Sequence, residues 1–553
     1  MATKQTYKWN EIRMGAPTLS MARTTIETAF YGNNVIRVDS LAEAYRLAAG
    51  SPGTVITDLP VYKAQEIGLP DDAKVLLFND GIVFGRASAA RRILGEPNVN
   101  EEDFCGIVRE AVYNTRNRTM YHAQVFVGLD PEFMVKAHLL IPEGEENVMY
   151  SWMLNFQYMN EEYSKMYKES RVIEGEGDIY IFSDPQWTPS AEYPLGLTFF
   201  DPKHNCAALL GMRYFGEHKK GTLTLGWGCA SRHGYASCHG GQKRYNLKSG
   251  RKFVLSVFGL SGSGKSTITH AQHDGKYDIT VLHDDAFLIS TVDGSSIALE
   301  PAYFDKTQDY RMDDPNNKYL VTVQNCGATL DEDNKVVLVT EDVRNGNGRA
   351  VKSILWSPNR LNRFQEPVDA IMWIMKDPTL PPLLKITDPV LASTMGATLA
   401  TKRTSAERLA AGVDPNALVV EPYANPFRTY PLSIDYTEFK KLFTDRGVEC
   451  YIINTGDFMG KKVKKEHTLG VIEGIVEGTA KFVETGINGI SYQPVEGFDL
   501  NFKDAEYKKA FVARINDRVA FIEKQTTNRG GIDKLPDEAL AAMKKVAEQA
   551  SKL

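Results

Sequence analysis

The distribution of apolar and polar positions divides the chain into two zones. Over residues 1–240, helical stretches with turn-rich connections give way to β-branched and aromatic runs, "HAQVFVGL", "KAHLLIP", "DIYIFSD" and "GLTFFD", which predict strands of a mixed sheet. The polar, basic stretch "GGQKRYNLKSGRK" is the expected boundary to a second domain over residues 241–553. That domain opens on the apolar run "VLSVF", a predicted buried strand, and closes on "PDEALAAMKKVAEQASKL", whose apolar residues recur at helical spacing. Between them, residues 391–412 are rich in Ala, Thr, Ser and Gly and poor in large apolar side chains. Such composition buries little, so the segment reads as a surface helix pair or as a lid that opens easily. There is no internal repeat and no low-complexity tract. The expectation is a two-domain, mixed α/β protein with a mixed-sheet N-terminal domain.

Composition narrows the function classes. With 553 residues, 43% hydrophobic and 24% charged, the chain can bury a sizeable core in each domain. Its 64 Lys and Arg against 70 Asp and Glu leave a net charge of -6, which argues against a general nucleic-acid binder. The N-terminus "MATKQTYKWNEIRMG" lacks the apolar core of a signal peptide, and no window approaches the ~18 uninterrupted apolar residues of a membrane span, so a cytoplasmic protein is expected. The cysteines, Cys105, Cys206, Cys229, Cys238, Cys326 and Cys450, form no C-x-x-C pair and predict reduced, mostly buried thiols.

Chemistry is concentrated at "GLSGSGKSTITH", which follows the predicted strand and fits G-x-x-x-x-G-K-[ST]. In a loop of this kind, glycines let successive backbone N–H groups point at phosphate oxygens. Gly259, Ser261, Gly262, Ser263 and Gly264 would form the cradle. Lys265 would bring charge to the β and γ phosphates, Ser266 a hydroxyl for a nucleotide-bound Mg²⁺, and Thr267 a further phosphate hydrogen bond. The alternative is a Gly/Ser-rich turn that holds nothing. Around the loop, Tyr214, Lys219 and Lys220 stand in "YFGEHKK", His239 in "ASCHGG", and Asp284 and Asp285 in "VLHDDAF".

In that order, these motifs resemble the ATP-type phosphoenolpyruvate carboxykinases. "DGIVFGRA" is similar to the family's substrate loop and puts Arg86 at its arginine, and "NGRAVKSI" puts Arg349 at another. "HAQVFVGLDPEFMVKAHLLI", "NVMYSWMLNFQY", "LPPLLKITDP", "GATLATK", "VVEPYANPF" and "YIINTGDFMGKK" extend the likeness from Gly81 to Lys462. The resemblance implies reversible conversion of oxaloacetate and ATP to phosphoenolpyruvate, CO₂ and ADP through an enolate from which water is excluded. It implies Mn²⁺ on Lys220, His239 and Asp285, with Lys220 as the neutral amine beside Lys219, and Mg²⁺ on the nucleotide at Ser266. It further implies Arg86 on the substrate carboxylate, Tyr214 facing the departing carboxylate, and Lys265 and Arg349 on the transferring phosphoryl group.

The chain departs from the family at Phe215, at Ala286-Phe287, at Lys385 where an arginine is expected, and at Leu469 near the nucleotide's base. Lys385 keeps the charge but not the planar fork, so weaker phosphate orientation is expected there. Two other readings stay open: a P-loop kinase acting on another small acid or a protein, and a nucleotide-binding regulator without catalysis. Neither a nucleic acid nor a membrane is an expected partner, and a monomer is the favoured state.

Overall fold

The computed structural model describes residues 19–78, 87–171, 176–260, 262–307, 310–341, 348–402 and 417–553. Arg86, Ser261 and the 403–412 part of the candidate lid lie outside the described residues. The architecture is mixed α/β, as the pattern of runs predicts, and the chain separates into two compact units.

The first unit comprises Met1–Cys229 and Leu299–Pro358. Its larger sheet runs in spatial order Val35–Val38, Met120–Asp130, Phe133–Pro142, Ile179–Asp184, Cys206–Leu210, Leu197–Asp201 and Arg91–Ile93, with parallel and antiparallel neighbours mixed. The four apolar runs named from sequence all lie in these strands. Phe104 stacks on Phe199 at 5.5 Å, inside an apolar cluster that also holds Phe182 and Leu210. A smaller sheet pairs Arg349–Lys352 with Tyr303–Lys306 and Leu320–Gln324.

The second unit comprises Ala230–Ala298, Asn359–Thr404 and Asp414–Leu553. Lys252–Phe258, Ala370–Met375 and Glu449–Asn454 lie side by side and parallel, and Tyr235–Asn246 runs antiparallel to the first of them. The C-terminal helix, Asp537–Lys552, buries Ala539, Met543, Val546 and Ala550, the face its periodicity predicts. The six cysteines are free and buried.

Three features differ from the sequence reading. The expected boundary after residue 240 falls inside the strand Tyr235–Asn246, whose Gln242, Lys243 and Tyr245 are buried. Polar side chains within a core strand gave that stretch the composition of a linker. The segment Leu299–Pro358 also returns to the first unit, a long-range excursion that local patterning does not register. Of the candidate lid, residues 391–397 form the buried part of helix Pro389–Ala397. A Cβ on Gly396 would meet Tyr423 at 2.6 Å and Trp373 at 2.7 Å, so here small side chains permit close packing rather than easy opening.

Candidate active site

In the second unit the phosphate motif sits where strand meets helix. The strand Lys252–Phe258 ends at the loop, and Gly262 and Gly264 adopt φ of 79° and 98°, a region that favours glycine. A Cβ on Gly259 would collide with Ser263 Oγ, so this position admits no side chain without displacement. The helix that follows, Lys265–His270, buries Lys265 while Ser266 and Thr267 remain exposed, their hydroxyls open to a ligand. Residues just past the ends of the two neighbouring parallel strands hold the loop. Lys376 Nζ donates to Gly262 O at 2.8 Å, and Thr455 Oγ1 donates to Ser263 O at 2.8 Å.

His239 and Asp285 meet beside this loop. The strand Asp278–His283 ends at a turn in which His283 Nδ1 accepts from the backbone N–H of Asp285 at 3.1 Å and of Ala286 at 3.2 Å. The backbone N–H of Gly240 donates to Asp285 O at 3.0 Å, which locks this turn to the residue after His239. His239 Nε2 then lies 3.0 Å from Asp285 Oδ1, and Lys265 Nζ lies 3.7 Å from the same oxygen. His239 Nδ1 donates to the carbonyl of Ala424, a backbone acceptor that must receive a proton. In the neutral ring, Nε2 therefore presents a lone pair toward a carboxylate oxygen. Two acceptors at that distance require a proton or a cation between them.

A second-row hydrogen bond that fixes the imidazole tautomer, with the other nitrogen aimed at a carboxylate, is the arrangement of a metal-binding histidine. The mixed N and O donors suit a borderline or hard divalent ion, the kind that the family resemblance implied. Asp284 stands apart from it, with His270 Nε2 3.4 Å from its Oδ2. Burial alone would raise the Asp284 carboxyl, but His270, His283 and Lys265 together outweigh it and hold the group below the ordinary carboxylate range.

In the first unit, Tyr214 precedes the helix Phe215–Ser231, which carries Lys219 and Lys220. Gln324 fixes the start of that helix: its Oε1 accepts from Phe215 N at 3.0 Å and its Nε2 donates to Arg213 O at 2.8 Å. A Cβ on Gly216 would collide with the Tyr214 ring, so a glycine here lets the ring fold back over the helix. Burial raises the Tyr214 phenol above its ordinary value against the opposing pull of Arg349, which keeps it a protonated donor. Arg349 is buried; its Nη1 donates to Gly348 O at 2.8 Å, while Nη2 has no hydrogen-bond partner among the described residues. An unsatisfied buried guanidinium nitrogen is costly, and an anionic ligand would satisfy it.

Lys219 points to an acid that the sequence reading did not single out. Its Nζ lies 3.1 Å from Glu300 Oε1, both residues are fully buried, and Asn155 Nδ2 donates to Glu300 Oε2. Lys220 lies nearer the surface, with Nζ 5.9 Å from the Trp227 ring. The signal for Glu300 was present in "SIALEPAYF", an acid in an otherwise apolar run, where burial demands a counter-charge.

The structure does not bring Lys385 to the phosphate loop. Its Nζ pairs with Glu449 Oε1 at 2.5 Å, and Glu449 begins the strand whose far end leads to Thr455. Phe215 packs edge-on against Phe304 at 5.2 Å, and Ala286 and Phe287 are buried in a core strand, so these departures from the family pattern serve packing. Leu469 is half-buried on the helix Lys465–Glu477.

A family model described as phosphoenolpyruvate carboxykinase matches residues 86–495. Among curated proteins, the chain is 26% identical over 282 residues to "Phosphoenolpyruvate carboxykinase (ATP)" of Aeropyrum pernix, covering 48% of this chain and 54% of that protein. The chain thus aligns with about half the length of that relative.

Proposed function

The chain belongs to the ATP-type phosphoenolpyruvate carboxykinase family, and on that premise we propose that it converts oxaloacetate and ATP reversibly to phosphoenolpyruvate, CO₂ and ADP. The observation that carries this reading is the His239–Asp285 pair at 3.0 Å beside Lys265. A nucleotide-binding module without chemistry needs the phosphate loop but has no use for a tautomer-fixed histidine that faces a carboxylate beside it.

In this reading His239 and Asp285 would hold a divalent ion, Mn²⁺ by family likeness, with Lys220 as the further ligand the likeness implies. Such an ion supplies Lewis-acid stabilisation of negative charge developing on a carbonyl oxygen. Lys265 neutralises the phosphoryl group as it leaves ADP, Ser266 serves the Mg²⁺ that accompanies ATP, and Thr267 adds a phosphate hydrogen bond. Arg349 offers its unsatisfied nitrogen to an anionic oxygen, and Tyr214 donates its phenolic hydrogen to a carboxylate. Arg86 is assigned the substrate carboxylate by resemblance alone. Loss of CO₂ leaves an electron pair on the enolate, whose oxygen attacks the γ phosphorus and expels ADP.

Purified protein given oxaloacetate, Mn²⁺ and Mg²⁺, with ATP or GTP, tests this directly by product analysis. Phosphoenolpyruvate formed with ATP and lost in His239→Ala is the expected result. ATP binding without phosphoenolpyruvate would reject this reaction, and ATP consumption independent of oxaloacetate would indicate another acceptor.

Lys385 is expected to behave as a structural residue. Its pair with Glu449 is partly exposed, and such pairs contribute about 0–1 kcal/mol. Because its amine is held by Glu449 and not at the phosphate loop, Lys385→Gln should leave kcat/KM for oxaloacetate within about threefold of wild type. A loss of about a hundredfold would give Lys385 a role on the phosphate after all.

A further inference from the structure

The strand Tyr235–Asn246, four residues beyond His239, carries a lysine that the proposed chemistry leaves unused. Lys243 is almost wholly buried, with 1% of its surface exposed. A buried ammonium is costly unless something in the fold requires it. Its Nζ donates to the carbonyl of Ala271 at 2.9 Å, and Ala271 is the residue that ends the phosphate-loop helix Lys265–His270.

The same strand is also the floor on which that helix lies. A Cβ on Gly241 would collide with Thr269 Oγ1, so the helix approaches the strand closely at Gly241 and is tied to it at Lys243. With six residues, the helix has few internal hydrogen bonds of its own to hold its end.

Charged and aromatic groups continue the attachment outward. Lys243 Nζ lies 4.4 Å from the centre of the Tyr245 ring, and Tyr245 donates its hydroxyl to His273 Nε2 at 3.1 Å. His273 Nδ1 donates to Glu473 Oε1 at 3.0 Å, and Lys276 Nζ lies 2.6 Å from Glu473 Oε2 and 2.8 Å from Glu477 Oε1. Tyr277 donates to Glu477 Oε1 at 2.7 Å. The turn after the helix, with His273 and Asp274 at positive φ, is thus gripped by Lys243 and Tyr245 on the inside and by the helix Lys465–Glu477 on the outside.

We propose that Lys243 is a positioning residue for nucleotide binding: by holding the carbonyl that ends the phosphate-loop helix, it sets the orientation in which Lys265, Ser266 and Thr267 meet the phosphates. This rests on the nucleotide reading above. Lys243 thereby adds an anchor at the end of the helix opposite the ligand, beyond those that Lys376 and Thr455 give the loop itself. Burial pulls the Lys243 amine down to about 7, and burial with the nearby Lys243 charge also lowers His273, so both are tuned by the enclosure the geometry describes.

The test is MgATP affinity by calorimetry on the full chain, with the KM for oxaloacetate at saturating ATP and the melting temperature measured in parallel. Lys243→Met keeps most of the unbranched apolar stem and removes the donor. It should raise the Kd for MgATP about tenfold, the size expected for one hydrogen bond from a charged donor, while oxaloacetate KM stays within twofold. Glu473→Gln, at the partly exposed outer end, should raise the same Kd about twofold to threefold without lowering the melting temperature.

Unchanged MgATP affinity in Lys243→Met would overturn the proposal. So would parallel losses in both substrates together with a lowered melting temperature, which mark a purely structural role. Should Lys243→Met fail to fold, Glu473→Gln decides: wild-type affinity there overturns the proposal, and weakened affinity supports it. Absence of MgATP binding in the wild type would instead reject the nucleotide reading itself, so the two failures are distinct.

Discussion

Lys265→Met is expected to reduce phosphoenolpyruvate formation by about 10³-fold, the scale on which removing a single preorganised charge-stabilising group lowers kcat. Two effects add. The amine proposed to meet the transferring phosphoryl group is lost, and Asp285, 3.7 Å away, loses a neighbouring positive charge. Lys265 is buried, so water replaces the amine poorly. The measurement is single-turnover phosphoenolpyruvate formation with a parallel Mn²⁺ titration followed by electron paramagnetic resonance. The titration should show retained Mn²⁺ binding, because His239 and Asp285 are untouched. A rate within tenfold of wild type would remove Lys265 from phosphoryl transfer.

Glu300→Gln should be the most damaging change to stability. Lys219 and Glu300 are fully buried and 3.1 Å apart, and Asn155 also donates to the carboxylate. Neutralising one partner of a buried ion pair costs about 3–5 kcal/mol. The measurement is the urea midpoint of unfolding. The double variant Glu300→Gln with Lys219→Met should recover most of that loss, because it removes the stranded charge as well. Equal stability of Glu300→Gln and wild type would show that Lys219 does not need this carboxylate. Activity should fall in both variants, since the helix Phe215–Ser231 carries Lys220 directly after Lys219.

Local pattern made part of this molecule legible. The strand-loop-helix around Gly259–Lys265 follows from an apolar run ending in glycines, and the buried face of the last helix follows from its periodicity. The order of Tyr214, His239, Lys265 and Asp285 pointed to the family because each motif carries its chemistry in a few adjacent residues. What stayed hidden depends on contacts between distant parts of the chain. Glu300 is 81 residues from Lys219, and nothing local says which buried acid answers which buried base. Lys243 was read as part of a basic linker, since a lysine's burial is set by the strands on either side of it. Helix Pro389–Ala397 shows the converse error: small side chains suggested a loose surface, yet they pack tightly against Trp373 and Tyr423. Lys385 followed the family's position, but its amine turns to Glu449, a choice visible only once the strands are paired.

The bonds from Lys376 to Gly262 and from Thr455 to Ser263 have a thermodynamic consequence. A loop tied to its neighbours before any ligand arrives gives up little conformational freedom when it closes around a triphosphate. In the proposed reading, nucleotide capture at this end of the sheet would be governed by exchange of hydration for fixed backbone dipoles rather than by ordering of the chain. Selection for affinity would act through residues 376 and 455, which touch the loop's backbone and need not touch the nucleotide.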